Sequence, residues 1–213
     1  MECNIATMDI ILAVVLALSA FILGGCPFSV WIGKWALHRD IQKVGDGNPG
    51  ASNVFRTGGK KWGVVALVLD IVKGIPFILI GKIVFGLGLP VLYVIAFSAV
   101  LGHAYSPFLG FKGGKALAVF AGTLFGLLQW DMIVTLIILF ILGFLFLGND
   151  SWIVVIGMVG SLIALLFLRA DMGEIIFISC VTALFIVKQF SGLRTPNPPG
   201  RLVHWIRSRR KAV

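Results

Sequence analysis

Two glycine-rich segments carry the residues best suited to chemistry. The first is GDGNPGASNVFR, residues 45–56, and the second is FKGGK, residues 111–115. Glycines allow successive backbone N–H groups to point inward and bind an anion, because a positive φ costs them little. The amides of Asn48 and Asn53 can donate hydrogen bonds, and Arg56 offers a planar, bidentate guanidinium. The composition suits a phosphate site, while a plain loop of turn-forming residues is the alternative.

The second segment ends at Lys115, directly before an apolar helix predicted from Ala116. A helix N-terminus beside a lysine is well suited to bind an anion. One such loop is equally well explained as a cationic flank of the membrane, but two on the same face favour a site. His103 lies in or at the end of a predicted span, where an ionisable residue indicates a function. A neutral histidine bonded within the helix bundle is the alternative.

Other polar residues limit the chemistry that we expect. Asp70 and Lys73 are one helical turn apart and are predicted to form a structural ion pair. The cysteines show no spacing typical of metal binding, and no Ser-His-Asp or thiol–base pattern can be found. We therefore expect no metal and no cofactor. Any reaction must depend on holding phosphates and positioning the reactants.

The elements that position these residues are predicted to be membrane-spanning helices. Of the 213 residues, 59% are hydrophobic and only 13% are charged, and the mean hydropathy is +1.02. Soluble domains are about one quarter charged. Crossing the hydrocarbon core takes about 20 helical residues. The apolar runs predict seven spans, at residues 9–33, 63–81, 87–109, 116–130, 131–147, 152–168 and 174–190. The fourth and fifth runs are short and could instead form one kinked helix.

The distribution of the net charge of +9 predicts the orientation. With seven spans, Arg56, Lys115 and the basic C-terminal tail share one side, which the positive-inside rule places in the cytoplasm. The N-terminus is then outside. Nucleic-acid binding is disfavoured, because the basic residues flank spans and lack interleaved aromatic side chains. We predict an all-α polytopic membrane protein, with a seven-helix domain at 1–190 and a basic cytoplasmic tail at 191–213.

Two further sets of residues are placed by this topology. The tail is expected to lie against anionic lipid, with three apolar side chains in the interface: Leu202, Trp205 and Ile206. Acidic residues predicted to flank the outer face, without a functional role, are Asp9, Asp131, Asp171 and Glu174.

Three stretches of the chain resemble one enzyme family. GGCPFSVWIGKW, VGDGNPGASNVFRTGGKKWGVVALVLDIVKG and LGHAYSPFLGFKGGKALAVFAG are similar to the PlsY-type acyl-phosphate:glycerol-3-phosphate acyltransferases. The likeness runs from Gly24 to about Gly122. It implies a small seven-span enzyme of the bacterial inner membrane that acts in phospholipid synthesis. The implied reaction moves a fatty acyl group from acyl phosphate to the 1-hydroxyl of glycerol 3-phosphate, giving lysophosphatidic acid. The implied partners are these two substrates and membrane lipids, without a metal or cofactor.

The resemblance also assigns a site. It gives catalytic roles to His103 and Lys115. The implied phosphate-binding residues are Asp46, Gly47, Asn48, Gly50, Asn53, Arg56, Lys112, Gly113, Gly114 and Lys115. Asp46 stands where the family has a serine, and we expect its carboxylate to pair with Arg56 or Lys115 and so occupy the anion site. Alternatively, Asp46 turns outward and caps a neighbouring backbone N–H group.

Two later segments depart from the family pattern. Ser151-Trp152-Ile153-Val154 stands in place of Ser-Leu-Ser-Ser, and Lys188-Gln189-Phe190-Ser191 in place of His-Arg-Glu-Asn. The first alternative function is therefore a divergent paralogue, with another acyl donor or phosphorylated acceptor, or a silent protein that binds anions or lipids. The second is a small transporter, against which stand the lack of internal repeats and the placement of every polar motif on one face.

Overall fold

The structure, a computed structural model, describes residues 2–168 and 171–204, with side chains described for 9–167 and 171–204. The chain forms two compact units, the first ending at Gln129 and the second beginning at Trp130. Helices are the regular elements of both units, and the described residues contain no β-strand. The predicted all-α class is confirmed. The domain boundary predicted after residue 190 stays a prediction.

The first unit carries both glycine-rich segments. Its α-helices are α1 (Glu2–Gly25), α2 (Phe28–Ala36), α3 (Ala51–Gly58), α4 (Lys60–Val72), α5 (Pro76–Leu79), α6 (Leu89–Ala104) and α7 (Leu117–Leu127). Short 3-10 turns lie at Ile41–Lys43 and Pro107–Leu109, and a π-helical turn lies at Ile80–Val84. The first apolar run is interrupted between α1 and α2, where Pro27 lacks the N–H that would continue the helix.

The second unit is built from three helices in its described part: α8 (Trp130–Phe146), α9 (Asp150–Leu168) and α10 (Met172–Leu193). α8 packs on α9, and α9 packs on α10. Glycines allow α8 and α9 to approach closely, because Gly143 faces Ile153 and Gly157 faces the ring of Phe140.

Five helical segments are long and apolar enough to cross a membrane. They are Asp9–Ala36, Lys60–Val84, Leu89–Leu109, Asp150–Phe167 and Met172–Leu193. The apolar helices α7 and α8 are shorter, with 11 and 17 residues. They are separate helices, as favoured from the sequence, because Leu128 adopts a left-handed conformation with φ 61° between them. The count of seven spans stays a prediction, and so does the orientation of the termini.

Close packing of α1 against α6 fixes the end of α6 that carries His103. A Cβ added to Gly24 would collide with the backbone of Ala99, and one added to Gly102 would collide with the backbone of Phe21. Such small residues are the usual means of helix association in hydrocarbon, where apolar burial alone gives little driving force. Ser106 adds a hydrogen bond of 2.6 Å to the carbonyl of Gly25.

An apolar cluster anchors α3, the short helix that carries Arg56. Its buried members are Ile41, Ala51, Val54 and Ala66, and the partly buried side chains around them are Val30, Ile32, Leu37 and Trp62. The members of the cluster come from α2, α3, α4 and the turn at Ile41–Lys43. The segment between this turn and α3 is therefore held at both ends.

Two predictions for the second unit concern Glu174 and the basic C-terminal tail. Glu174 was expected to flank the outer face without a role, but it is not solvated: it is 1% exposed and lines a cavity of about 20 Å³ with Asp131, Thr135 and Ser161. It is buried because its side chain points towards residues of α8 and α9, whereas Met172 in the same turn is 64% exposed. Its placement at the outer face of the membrane stays a prediction. The expected interfacial residues Trp205 and Ile206, and the basic residues from Arg207 to Lys211, lie outside the described residues.

The proline-rich segment after α10 is docked on the α8–α9 loop. Gly148 N–H donates to the carbonyl of Pro198 at 2.9 Å, and Gly200 N–H donates to the carbonyl of Phe146 at 3.0 Å. The guanidinium of Arg201 lies 4.3 Å from the ring centre of Phe144. This contact is a cation–π interaction.

Candidate anion-binding site

The two glycine-rich segments meet at the carboxylate of Asp46. Lys115 Nζ lies 2.9 Å from Asp46 Oδ2, and Arg56 Nη1 lies 3.9 Å from Asp46 Oδ1. The site is open to solvent, since the side chains of Lys115, Asp46 and Arg56 are 27%, 41% and 49% exposed. The structure therefore brings the arginine of one segment and the lysine of the other to a single anion.

Asp46 adopts the first of the two arrangements considered for it, and it does not turn outward. It pairs with both cations, and its Oδ1 also accepts a hydrogen bond of 3.2 Å from the N–H of Asn48. Burial raises the pKa of the Asp46 carboxyl, but the hydrogen bond and charge of Lys115, with smaller effects from Asn48 and Asn53, outweigh it. The net pKa lies below the ordinary 3.8, so the carboxylate is ionised at neutral pH.

Asn53 organises the first segment. It is 0% exposed, and its amide donates to Asp46 Oδ1 at 3.1 Å and to the carbonyl of Asn48 at 2.9 Å. Its own side-chain oxygen accepts a hydrogen bond of 3.2 Å from Arg56 Nη1. The sequence suggested that this amide could bind phosphate directly. In the structure, the hydrogen bonds of Asn53 instead hold Asp46 and Arg56 in position.

Glycine is required at two positions of this segment. Gly45 has φ 59° and Gly47 has φ 71°, in the left-handed region that other residues rarely adopt. A Cβ on Gly45 would also contact the side chains of Arg56 and Asn53. Gly50 has an extended backbone and stands directly before α3 as its N-cap.

The second segment docks on the end of α6, next to His103. Gly114 N–H donates to the carbonyl of His103 at 3.0 Å. A Cβ on Gly113 would collide with the backbone of His103 and Ala104, and one on Gly114 would contact His103 Nε2 and Asn48 Oδ1. The imidazole of His103 therefore borders the second segment, while its catalytic role stays a prediction.

The backbone is strained at the first residue of the second segment and at the residue that follows the segment. Phe111 has φ 62° and Ala116, the N-cap of α7, has φ 61°, although neither is glycine. A left-handed conformation costs such residues about 1–2 kcal/mol each. Strain of this kind is concentrated at functional sites, where the surrounding contacts maintain it.

A buried polar network lies next to His103. The predicted pair between Asp70 and Lys73 is present, with Nζ 2.7 Å from Oδ1 and both side chains at most 2% exposed. Ser29 Oγ donates to Asp70 Oδ2 at 2.9 Å, and His103 Nδ1 lies 4.0 Å from Asp70 Oδ1. Sequence reasoning found no acid near His103, because Asp70 belongs to a different helix.

The remaining candidate residues are Lys112 and the residues of the two later segments. Lys112 is exposed, and no contact of its side chain with Asp46 is seen in the described part of the chain. In the second unit, the buried Ser151 donates a hydrogen bond of 2.8 Å to the buried Gln189. Ile153 and Val154 are 8% and 6% exposed and contribute to the apolar interior of the second unit.

The charges of the site suit an anion. Two cations face a single carboxylate, and glycine backbones adjoin them. Among residues 9–167 and 171–204, no group of three or more His, Cys, Asp or Glu side chains is close enough to hold a metal ion.

Comparison with known proteins identifies the family. The family model described as glycerol-3-phosphate acyltransferase matches residues 14–194. The chain belongs to this family. The glycerol-3-phosphate acyltransferase match includes both glycine-rich segments and extends into the second unit as far as the end of α10.

Curated relatives carry the same name over shorter alignments. A glycerol-3-phosphate acyltransferase of Anaeromyxobacter sp. (strain Fw109-5) is 39% identical over 125 residues, which cover 57% of this chain and 62% of the relative. The protein of that name from Agrobacterium fabrum is 42% identical over 110 residues, covering 52% and 53%. The matched part of the chain therefore spans less than two thirds of these relatives.

Solved structures extend the likeness to the fold. The chain is similar to the glycerol 3-phosphate form of PlsY (YgiH), described as an integral membrane glycerol 3-phosphate acyltransferase, with a TM-score of 0.77 and 30% identity. The alignment covers 85% of this chain and 90% of the solved one. The lysophosphatidic acid form of the same protein matches with a TM-score of 0.75. The predicted family and integral-membrane helical fold are confirmed.

Proposed function

We propose that this chain is a membrane acyltransferase of phospholipid synthesis. It moves a fatty acyl group from acyl phosphate to the 1-hydroxyl of glycerol 3-phosphate and gives lysophosphatidic acid. Its proposed location is the bacterial inner membrane, in keeping with five helical segments long enough to cross a bilayer. The names of the curated relatives and the two ligand forms of the solved structures support this assignment.

One observation carries the proposal: Arg56 and Lys115 converge on a single carboxylate. A carboxylate oxygen 2.9 Å from Lys115 marks a position that a phosphate oxygen can take, because both groups accept charge-assisted hydrogen bonds. Backbone groups also lie close to this position. They belong to Gly45 and Gly47, which have positive φ, and to Gly113 and Gly114, which pack beside His103.

These groups suit acyl transfer from an activated donor. Acyl phosphate needs no protein nucleophile, so the protein must align the acceptor hydroxyl and stabilise charge on the departing phosphate. Arg56 and Lys115 supply the positive charge for the phosphates. His103, which borders Gly114, is the candidate to accept a hydrogen bond from the acceptor hydroxyl.

The Asp46 geometry favours a second candidate function, a paralogue that binds phosphate or lipid anions without turnover. The carboxylate already occupies the space between the cations, so a phosphate must displace it or bind beside it. At about 4 Å, like charges repel by roughly 1 kcal/mol in water and roughly 4 kcal/mol at an effective dielectric of 20.

An assay of the purified protein in detergent separates the two functions. The protein is mixed with acyl phosphate and labelled glycerol 3-phosphate, and a parallel sample contains acyl-CoA as the donor. The proposal expects labelled lysophosphatidic acid with acyl phosphate, and its loss in Arg56→Ala. Lys43→Ala is the matched control, since Lys43 is a nearby cation with an 84% exposed side chain. A parent that binds glycerol 3-phosphate without forming product would instead be the silent paralogue.

A further inference from the structure

Asp70 is the centre of a buried polar network that reaches the site through His103. Its side chain is 2% exposed, that of Lys73 is 1% exposed and that of His103 is 9% exposed. Asp70 and Lys73 lie within the candidate span Lys60–Val84. Charged groups at membrane depth are costly, and those that persist are usually paired and functional.

The two oxygens of Asp70 have different partners. Oδ2 accepts the hydrogen bond of Ser29, at 2.9 Å. Oδ1 forms the ion pair with Lys73, whose Nζ lies 2.7 Å away. Lys73 also donates to the carbonyl of Cys26, at 2.7 Å. Oδ1 therefore has capacity for a second donor, and His103 Nδ1 is 4.0 Å away.

The other ring nitrogen of His103 faces the candidate site. His103 Nε2 is the first atom that a Cβ on Gly114 would meet, and Asn48 Oδ1 is also within contact distance of that Cβ. The ring thus has Nδ1 towards a carboxylate and Nε2 towards the glycine loop. A carboxylate beside one ring nitrogen holds the proton there and so sets the role of the other nitrogen.

We propose that Asp70 is a positioning residue for His103. It keeps a proton on Nδ1 and holds the ring so that Nε2 is presented to the ligand bound at the glycine loop. The inference rests on the proposed function for the identity of that ligand, which is the acceptor hydroxyl of glycerol 3-phosphate. The distance of 4.0 Å exceeds a hydrogen bond, and such contacts commonly tighten when a ligand binds.

The alternative is a structural ion pair between Asp70 and Lys73, beside which His103 has no special role. Removing one charge alone would leave the other buried and unpaired, and the protein would then fail for structural reasons. The test therefore uses the double variant Asp70→Asn/Lys73→Met, which removes both charges and keeps the side-chain sizes. Asp40→Asn is the control, since Asp40 is a partly exposed acid paired with Lys43.

The first measurement is independent of turnover. Nitrogen-15 NMR of labelled histidine in the full-length protein reports which ring nitrogen carries the proton, and His103→Gln identifies the signal. We expect Nδ1 of His103 to be protonated in the parent and in Asp40→Asn. In the double variant we expect a mixture of the two tautomers. A parent ring protonated on Nε2 alone, or a double variant with an unchanged signal, would overturn the inference.

The second measurement is a mutant cycle. It compares kcat and KM for the parent, the double variant, His103→Gln and the variant that combines all three substitutions. We expect the double variant to lower kcat about 10- to 100-fold, with little change in the KM for glycerol 3-phosphate and in the melting temperature. In the His103→Gln background the same change should have almost no further effect, because Asp70 acts through His103. If the combined variant lost kcat by the product of the losses measured for the double variant and for His103→Gln, the inference would be overturned. Absence of turnover in the parent would refute the proposed acyl transfer, and the NMR result would then decide the role of Asp70.

Discussion

The carboxylate of Asp46 lies 2.9 Å from Lys115 and 3.9 Å from Arg56, so a phosphate that binds these cations must displace it or bind beside it. Its pairing could be expected from sequence, since an acid in a loop with an arginine has few other partners. Its hydrogen bonds could not. The amide of Asn53 and the N–H of Asn48 both donate to Asp46 Oδ1, and this arrangement depends on the burial of Asn53 under the loop.

Replacing Asp46 by serine should strengthen phosphate binding. Removing the carboxylate should relieve about 1–2 kcal/mol of its repulsion with a bound phosphate. This value lies in the lower part of the range of roughly 1–4 kcal/mol for like charges about 4 Å apart, because solvent screens Asp46, whose side chain is 41% exposed. Calorimetry with glycerol 3-phosphate should show an affinity about 5- to 30-fold higher in Asp46→Ser than in the parent. The gain should shrink as salt is added. A mutant that binds no better at low salt would place Asp46 outside the binding position.

The lowered pKa of Asp46 predicts a pH dependence of stability. A carboxyl whose pKa is lower in the folded state contributes stability above its unfolded pKa of 3.8 and loses it as the pH falls through the folded value. The parent should therefore melt at a higher temperature than Asp46→Asn at pH 5 to 8, by a constant amount. The difference should close below about pH 3.8. A difference that grows on acidification would contradict the direction of the pKa shift.

The helix termini, rather than the helices alone, assemble the site. The last turn of α6 supplies His103, the N-cap of α7 follows Lys115, and α3 carries Arg56. The ion pair of Asp70 and Lys73 was predictable because the two residues share one helix. The contact of Asp70 with His103 was not, because it depends on how two helices that are distant in sequence are placed in the fold. Likewise, the burial of Glu174 depends on the packing of α10.

Gly114→Ala tests the docking of the second segment on α6. Its Cβ would contact His103 Nε2 and Asn48 Oδ1, so the loop or the ring must shift. Overpacking of this kind costs about 1–3 kcal/mol, and we expect the affinity for glycerol 3-phosphate to fall about 5- to 150-fold. Gly88→Ala is the matched control, because its nearest atom lies 3.8 Å away. Equal affinities for the two variants in calorimetry would show that Gly114 does not border the binding position.

The whole chain is predicted to cross the membrane seven times, with its N-terminus outside. The structure supports part of this: five segments have spanning length, and α7 and α8 are separate but shorter apolar helices. Hydropathy identifies apolar runs well, but it does not determine how short helices are placed in a bilayer. The docking of the segment around Pro198 on the α8–α9 loop also escaped sequence reasoning, because its hydrogen bonds are made by backbone groups.

Cysteine labelling of intact cells tests this topology. In a background without the native cysteines, a cysteine at position 2 should react with an impermeant reagent, and one replacing Lys211 should react only after the cells are opened. The positive-inside rule predicts this difference from the basic loops and tail. Labelling of both positions from the same side would require an even number of spans.

Binding of glycerol 3-phosphate to the two cations tests the account most directly. Calorimetry of the purified protein should compare the parent with Arg56→Ala, Lys115→Ala and the control Lys43→Ala. Charge-assisted phosphate hydrogen bonds contribute about 1.5–3 kcal/mol, so each of the first two variants should bind about 10- to 150-fold more weakly. Lys43→Ala should match the parent in affinity and in melting temperature. Arg56→Ala and Lys115→Ala should stay folded, with a modestly lower melting temperature because each loses its pairing with Asp46. Unchanged affinity in both Arg56→Ala and Lys115→Ala would show that the two segments form no phosphate site.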